Sequence, residues 1–252
     1  FGIKLFKTDK QGNLIWKKIY SESGKGISIG SYGSLAEVAD GYLICGDEYD
    51  TTTTDVTFVL MKFDNEGDFQ WIKSYPRGGK QECFHGSLTS DKSYIMIGET
   101  FFNNQSSDYY VLKTDSLGNK EWDRTYGING TQDRGFNVYQ VYDGGYVLGG
   151  ISNSFGDPAD SWIVKIDSAG DEEWSDTYGT SGEDVLVNLS ASASGYLVWG
   201  GADTVVYNTQ TQYNEMIIKS DFNGVVQWRT FFNHKKNRIT RQVRELLDGS
   251  IA

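Results

Sequence analysis

One phrase recurs five times along the 252-residue chain: Lys-x-Asp, two residues, Gly, three residues, Trp. It reads Lys7–Asp9–Gly12–Trp16, Lys62–Asp64–Gly67–Trp71 and Lys113–Asp115–Gly118–Trp122, then Lys165–Asp167–Gly170–Trp174 and Lys219–Asp221–Gly224–Trp228. The internal spacing is constant, and successive tryptophans lie 55, 51, 52 and 54 residues apart. A fixed period near fifty is the mark of a repeat architecture. Stacked repeats share a continuous core, so residues 1–252 are expected to form one domain.

The third repeat is the clearest to read. Phe136–Val141 alternates apolar and polar residues, as a half-buried strand does. Asp143-Gly144-Gly145 is a tight-turn signal. Tyr146–Gly150 is a compact apolar run, Trp162–Ile166 a third strand, and Glu172–Tyr178 a fourth that alternates again. The second strand returns as Tyr42–Gly46, Tyr94–Gly98 and Tyr196–Gly200. Four short strands in about fifty residues match one blade of a β-propeller. Thirty Gly against two Pro, and 36 aromatic residues, suit short strands joined by tight turns around an aromatic core.

The fold class expected is therefore all-β, a propeller of four-stranded antiparallel blades. Residues 21–75, 76–126, 127–178 and 179–232 supply four full repeats. Residues 1–20 bring only third and fourth strands, and 233–252 a first strand and the start of a second. The two parts together make a closing blade, giving a ring of five without free sheet edges. The alternative is a stretch of a seven- or eight-bladed ring. Phe1 is not an initiator Met and the chain stops within a strand signal, so trimming at one or both ends is expected.

An aromatic residue follows each Trp by four positions: Tyr20, Tyr75, Tyr126, Tyr178 and Phe232. On a strand these share a face, so both are read as packing between blades. The recurring Asp is read as a turn-maker that binds backbone N–H groups two residues on. The lysine before it is expected to pair with that Asp or to face solvent. A calcium loop needs a denser series of acids than this.

The turn Asp-x-x-Gly-x-x-x-Trp resembles the tryptophan-docking motif of quinoprotein-like propellers, with one residue fewer before the Gly. Asp143–Gly150 followed by Trp162–Asp167 is similar to repeats of secreted and surface propeller proteins of bacteria and archaea. The resemblance covers the whole chain. It implies a propeller at the cell exterior or surface, sometimes lipid-anchored. It implies no quinone, because such dehydrogenases use more blades, calcium and often a vicinal disulfide, and no Cys-Cys pair exists here. Blade count and size are also similar to a small lectin-type propeller that binds amino sugars between its blades.

The net charge of −11 argues against a nucleic-acid partner. No run of 18 apolar residues is present, so no membrane-spanning helix is expected. Two His and two Cys leave little for a transition-metal site, and neither a metal nor another cofactor is expected. Cys45 and Cys83 fall in neighbouring repeats; two isolated thiols are the expectation, with a disulfide left open. His85 and His234 have no nucleophile signature beside them and are read as structural. The run from His234 to Arg241 is a basic patch, read as a solvated segment between blades.

The third-to-fourth turn never varies, whereas the segments between second and third strands do. Binding residues concentrate on variable loops held by a scaffold. The candidate partner-binding residues are Asp47, Glu48 and Tyr49, then Glu99, Phe101 and Phe102, then Phe155, Asp157 and Asp160, then Asp203, Tyr207 and Tyr213. Aromatics beside acids suit a protein contact or a sugar, and ordinary loop polarity is the plain alternative. Because these loops differ between repeats, the expected function is a non-enzymatic protein interaction scaffold with a protein partner at the envelope. A glycan-binding, lectin-like propeller is the alternative. An envelope enzyme using carboxylates comes third, since no sequence feature selects the two acids a glycosidase needs.

Overall fold

The computed structural model of the chain describes residues 2–50, 52–53, 55–103, 106–128, 130–155, 159–179, 184–191, 196–207, 210–232, 242–246 and 248–252. Among the described residues there is no helix, and antiparallel strand pairs carry the fold. An N-terminal hairpin joins β1 (Ile3–Thr8) to β2 (Leu14–Tyr20). The first full repeat holds β3 (Lys25–Ile29), β4 (Leu35–Val38), β5 (Gly41–Asp50), β6 (Val56–Phe63) and β7 (Phe69–Tyr75). The second holds β8 (Gln81–Leu88), β9 (Tyr94–Asn103), β10 (Ser106–Thr114) and β11 (Lys120–Tyr126). The third holds β12 (Asp133–Gln140), β13 (Tyr146–Ser152), β14 (Asp160–Ile166) and β15 (Glu172–Tyr178). The fourth holds β16 (Asp184–Ala191), β17 (Tyr196–Tyr207), β18 (Gln210–Asp221) and β19 (Val226–Phe232).

Strands of the last three repeats pair strictly in chain order, as the four-strand reading expects. The first repeat differs. Its opening strand is broken into β3 and β4, both paired with β5, so the sheet has five strands. The cause is a bulge of unequal size. In β8, β12 and β16 the ladder skips one residue, between Cys83 and His85, Gly135 and Asn137, and Leu186 and Asn188. In the first repeat the same place is taken by residues 30–34, and two glycines there, Gly30 and Gly33, interrupt the strand. The fourth repeat also shifts by one: Leu197, opposite Ser220, stands where Tyr146 stands opposite Ile166.

The chain divides into two compact units, residues 1–104 with 110–123, and 105–109 with 124–252. In the first, Cys45, Phe58, Leu60, Tyr94, Met96 and Tyr110 form one core, and Ile27, Ile44, Val59, Met61 and Phe63 another. In the second, Leu186, Leu197, Trp199, Met216 and Tyr178 form the core. Each aromatic or branched side chain so buried contributes about 1.5–3 kcal/mol.

The recurring phrase works as a latch. The Asp carboxylate accepts the N–H groups two and four residues on: Asp64 takes Glu66 (3.1 Å) and Asp68 (2.8 Å), and Asp115 takes Leu117 and Asn119 (2.8 Å each). The Gly closes the turn at positive φ, +77° for Gly67 and +76° for Gly118. The Trp of one repeat then lies on the Gly of the next. A Cβ on Gly67 would come within 2.6 Å of the Trp16 ring, and one on Gly118 within 2.8 Å of Trp71. The aromatic four residues after the Trp completes the latch: Tyr75 Oη donates to Gly118 O (2.7 Å), Tyr126 Oη to Gly170 O (2.6 Å) and Tyr178 Oη to Gly224 O (2.8 Å).

The lysine departs from expectation. Lys62, Lys113 and Lys165 are buried, and none pairs with the Asp of its own phrase, whose Oδ1 is taken by backbone donors. Lys113 lies between Glu121 (2.8 Å) and Asp91 (3.6 Å), and Lys165 between Glu173 (2.5 Å) and Asp143 (3.0 Å). Lys62 meets one acid, Asp40, at 2.9 Å.

Candidate functional site

Among the described residues, the predicted site residues do not lie on loops, with one exception. Asp47, Glu48 and Tyr49 continue β5, Glu99, Phe101 and Phe102 continue β9, and Asp160 opens β14. Asp203 and Tyr207 belong to β17 and Tyr213 to β18, where Tyr213 pairs with Thr204 and Asp203 with Asn214. Their side chains lie outside the described residues, as do Asp157 and the basic run 234–241. Phe155 sits in a turn and is exposed. Polar composition here marked neither irregular backbone nor exposure, since Asp47, Glu48 and Glu99 are buried. Thr, Val, Tyr and Phe are good strand residues, so pairing runs on past the sheet.

Alternation along β5 separates the first three candidates. Asp47 and Tyr49 share a face, and Glu48 takes the other. Glu48 is tied to Lys25 (2.8 Å) and Ser74 (3.5 Å). Asp47 and Tyr49 line a cleft of about 330 Å³ together with Ile29, Lys80, Glu82 and Phe84. Lys80 pairs with Glu82 at 2.5 Å and lies 4.5 Å from the centre of the Phe101 ring. Phe102, the next residue of β9, is half exposed and is not among the residues that line the cleft. Glu99 is buried, opposite Glu82 in the ladder.

Asp47 is the electrostatic centre of the cleft. Burial pushes its carboxyl up to about 7, against the opposing pull of the Cys83 N–H, 2.6 Å from Oδ1, and of the Ser28 hydroxyl, 3.3 Å from Oδ2. A carboxyl poised near neutrality in a cleft is a mark of a functional position. The neighbouring Cys45 and Cys83 are both free and buried, and burial pushes the Cys83 thiol well up, which keeps it unreactive. His85 is a buried residue of β8, consistent with a structural role.

Sequence reasoning missed one pair of acids in the second unit and, in a second pair, the partner of Asp160. Gly127 separates Asp108 from Asp133: a Cβ there would lie 2.5 Å from one carboxylate and 2.6 Å from the other. Gly179 separates Asp160 from Asp184 in the same way. Asp133 accepts hydrogen bonds from Ser152, Ser154 (2.6 Å) and Thr131 (3.2 Å). Burial raises the Asp160 pKa. The signal was present in the sequence as Tyr-Gly after the fourth strand, followed by an acid at 133 and 184. Among the described residues no three His, Cys, Asp or Glu side chains cluster as metal ligands would, and no helix is long and apolar enough to cross a membrane.

No family model matches the chain, and no curated protein matches it. Solved structures do. A mutant of the Synechocystis apocarotenoid oxygenase superposes with a TM-score of 0.50 at 12% identity, covering 90% of this chain and 55% of its own. Drosophila Plexin A, solved in complex with Semaphorin 1b, gives 0.48 at 10% identity, covering 81% of this chain and 39% of its own. This chain therefore spans little more than half of the one and well under half of the other. The likeness to the oxygenase shows the fold alone, a propeller-like all-β architecture. It also corrects one expectation. The oxygenase is an enzyme, so the reading of this chain as non-enzymatic loses its ground. The physical reason is general: a scaffold of this kind hosts catalytic and non-catalytic sites alike.

Proposed function

We propose that the chain is a binding propeller whose protein partner docks at the β5–β9 end of the first unit. The observation that carries this reading is the composition of one exposed cleft. Ile29 is half exposed there, Tyr49 and Phe84 line it, and Asp47, Lys80 and Glu82 supply both signs of charge. Aromatic anchors beside a polar rim are the anatomy of a protein contact, and Tyr is enriched in such patches.

The rest of the reading rests on the repeat phrase and on its resemblance to tryptophan-docking propellers. It makes the domain a ring of five blades over residues 1–252, closed by 1–20 and 233–252, and places it outside the cell or on its surface.

The test uses the purified chain as bait in a cross-linked envelope extract. The double variant Tyr49→Ala, Phe84→Ala is expected to lose captured partner by about tenfold, the scale of two interface anchors. Tyr142→Ala, a highly exposed residue of the other unit, is expected to change nothing. Equal capture by all three proteins contradicts the proposal. Specific binding on a glycan array with no captured protein transfers the reading to the lectin-like alternative.

A further inference from the structure

We propose that the first unit holds a second site, at the opposite end of β5, for an organic carboxylate with an apolar or ring-shaped body. The site is a cavity of about 450 Å³. Its body is apolar: Leu43, Trp71, Leu88 and Leu117 line it. Its charged lining consists of Lys62, Lys92, Glu37 and Asp40. A volume of this size suits a small organic ligand.

The first argument comes from a difference between repeats: the residue before the Trp is Glu in the second and third and Gln in the first and fourth. In the second and third repeats the buried lysine is held by two acids. One comes from the turn between the first two strands, Asp91 or Asp143; the other stands just before the Trp, Glu121 or Glu173. In the first repeat the turn acid is kept, Asp40 at 2.9 Å from Lys62. The second acid is replaced by Gln70, which turns away to bond Asp64 (2.8 Å). Lys62 thus keeps one carboxylate where its counterparts keep two, its other donors going to the carbonyls of Asp40 (2.9 Å) and Phe63 (3.2 Å), and it lines the cavity at 8% exposure. A ligand carboxylate restores the two-acid shell by charge complementarity.

The second argument is Lys92. It is the one non-glycine with positive φ among the described residues, at +65°. Its N–H closes the turn onto Thr89 O (2.9 Å), as Gly144 N–H closes the next repeat's turn onto Val141 O (3.0 Å), with Gly144 at +87°. A lysine is thus held where the other repeat uses glycine, on the wall of this cavity. Strain of this kind persists at sites where the side chain serves a ligand. The Trp71 face and the leucines then take the ligand body.

The test is a titration of the isotope-labelled chain by NMR with phenylacetate and glucuronate, and with their neutral counterparts phenylacetamide and glucose. At least one acid is expected to shift the Trp71 indole and Leu117 signals saturably, with its neutral counterpart about tenfold weaker or worse. Saturation by glucuronate alone assigns acidic sugars, and by phenylacetate alone apolar acids. Gln70→Glu puts the missing carboxylate back from the chain itself, at an exposed position that leaves the fold intact. It is expected to weaken the binding acid about tenfold and to leave or raise the melting temperature. Lys92→Gly is expected to raise the melting temperature while weakening binding. No saturable shift from either acid at about 10 mM, equal binding of acid and neutral counterpart, or full affinity in Gln70→Glu overturns the proposal.

Discussion

Lys113 and Lys165 illustrate how single residues are stabilised in this fold. Each is nearly inaccessible, yet each meets two carboxylates and a backbone carbonyl, so its charge is compensated as a buried ion's must be. Asp47 lacks any such cation at bonding distance, and its carboxyl responds by rising from 3.8 to about 7, chiefly through burial. The folded chain therefore binds this proton more tightly than the unfolded chain does. The stability that Asp47 contributes is present in full below about pH 4 and is lost as pH rises through about 7. Asp47→Asn keeps an acceptor for the Cys83 N–H but carries no charge. It is predicted to be more stable than the parent by about 2–3 kcal/mol at pH 8 and nearly equal to it at pH 4. Urea unfolding at the two pH values checks this; the same difference at both would show that Asp47 does not titrate in the folded state.

At the level of elements, periodicity made the strands legible and polarity misplaced their ends. β12 to β15 were readable because each alternates or forms a compact apolar run between turn signals. The extensions of β5, β9 and β17 were not, because residues such as Asp47, Glu48 and Glu99 look like loop residues while pairing as strand residues. The split of β3 from β4 was hidden for a different reason. It follows from bulge size, and a bulge is a property of two strands together. The cleft was half legible: Asp47 and Tyr49 were found by composition. Lys80 and Glu82 were not, because they belong to the next repeat and reach the cleft through pairing that no local pattern encodes. Gln70 in place of Glu was visible all along, but it has no meaning until Lys113 and Lys165 show what the glutamate does.

For the whole molecule, the latch ties neighbouring repeats within each compact unit. A Trp, a Gly turn and a Tyr hydroxyl recur between neighbours, so stability is built as a chain of nearest-neighbour contacts. The same rule needs a Gly turn for the last Trp, Trp228, which is 39% exposed. The proposed closed ring of five would supply one, and electron-microscopy averages of the chain are then predicted to show five spokes; an open arc would contradict closure. The latch itself is tested most directly by a double-mutant cycle on Trp16 and Gly67. Gly67→Ala is predicted to cost about 2–4 kcal/mol in the parent, from left-handed backbone strain plus the collision with the indole. In the Trp16→Ala background the collision partner is gone, and the same change is predicted to cost about 1–2 kcal/mol. A coupling of at least about 1 kcal/mol is the predicted result, and additive costs would show that the tryptophan does not dock on the glycine.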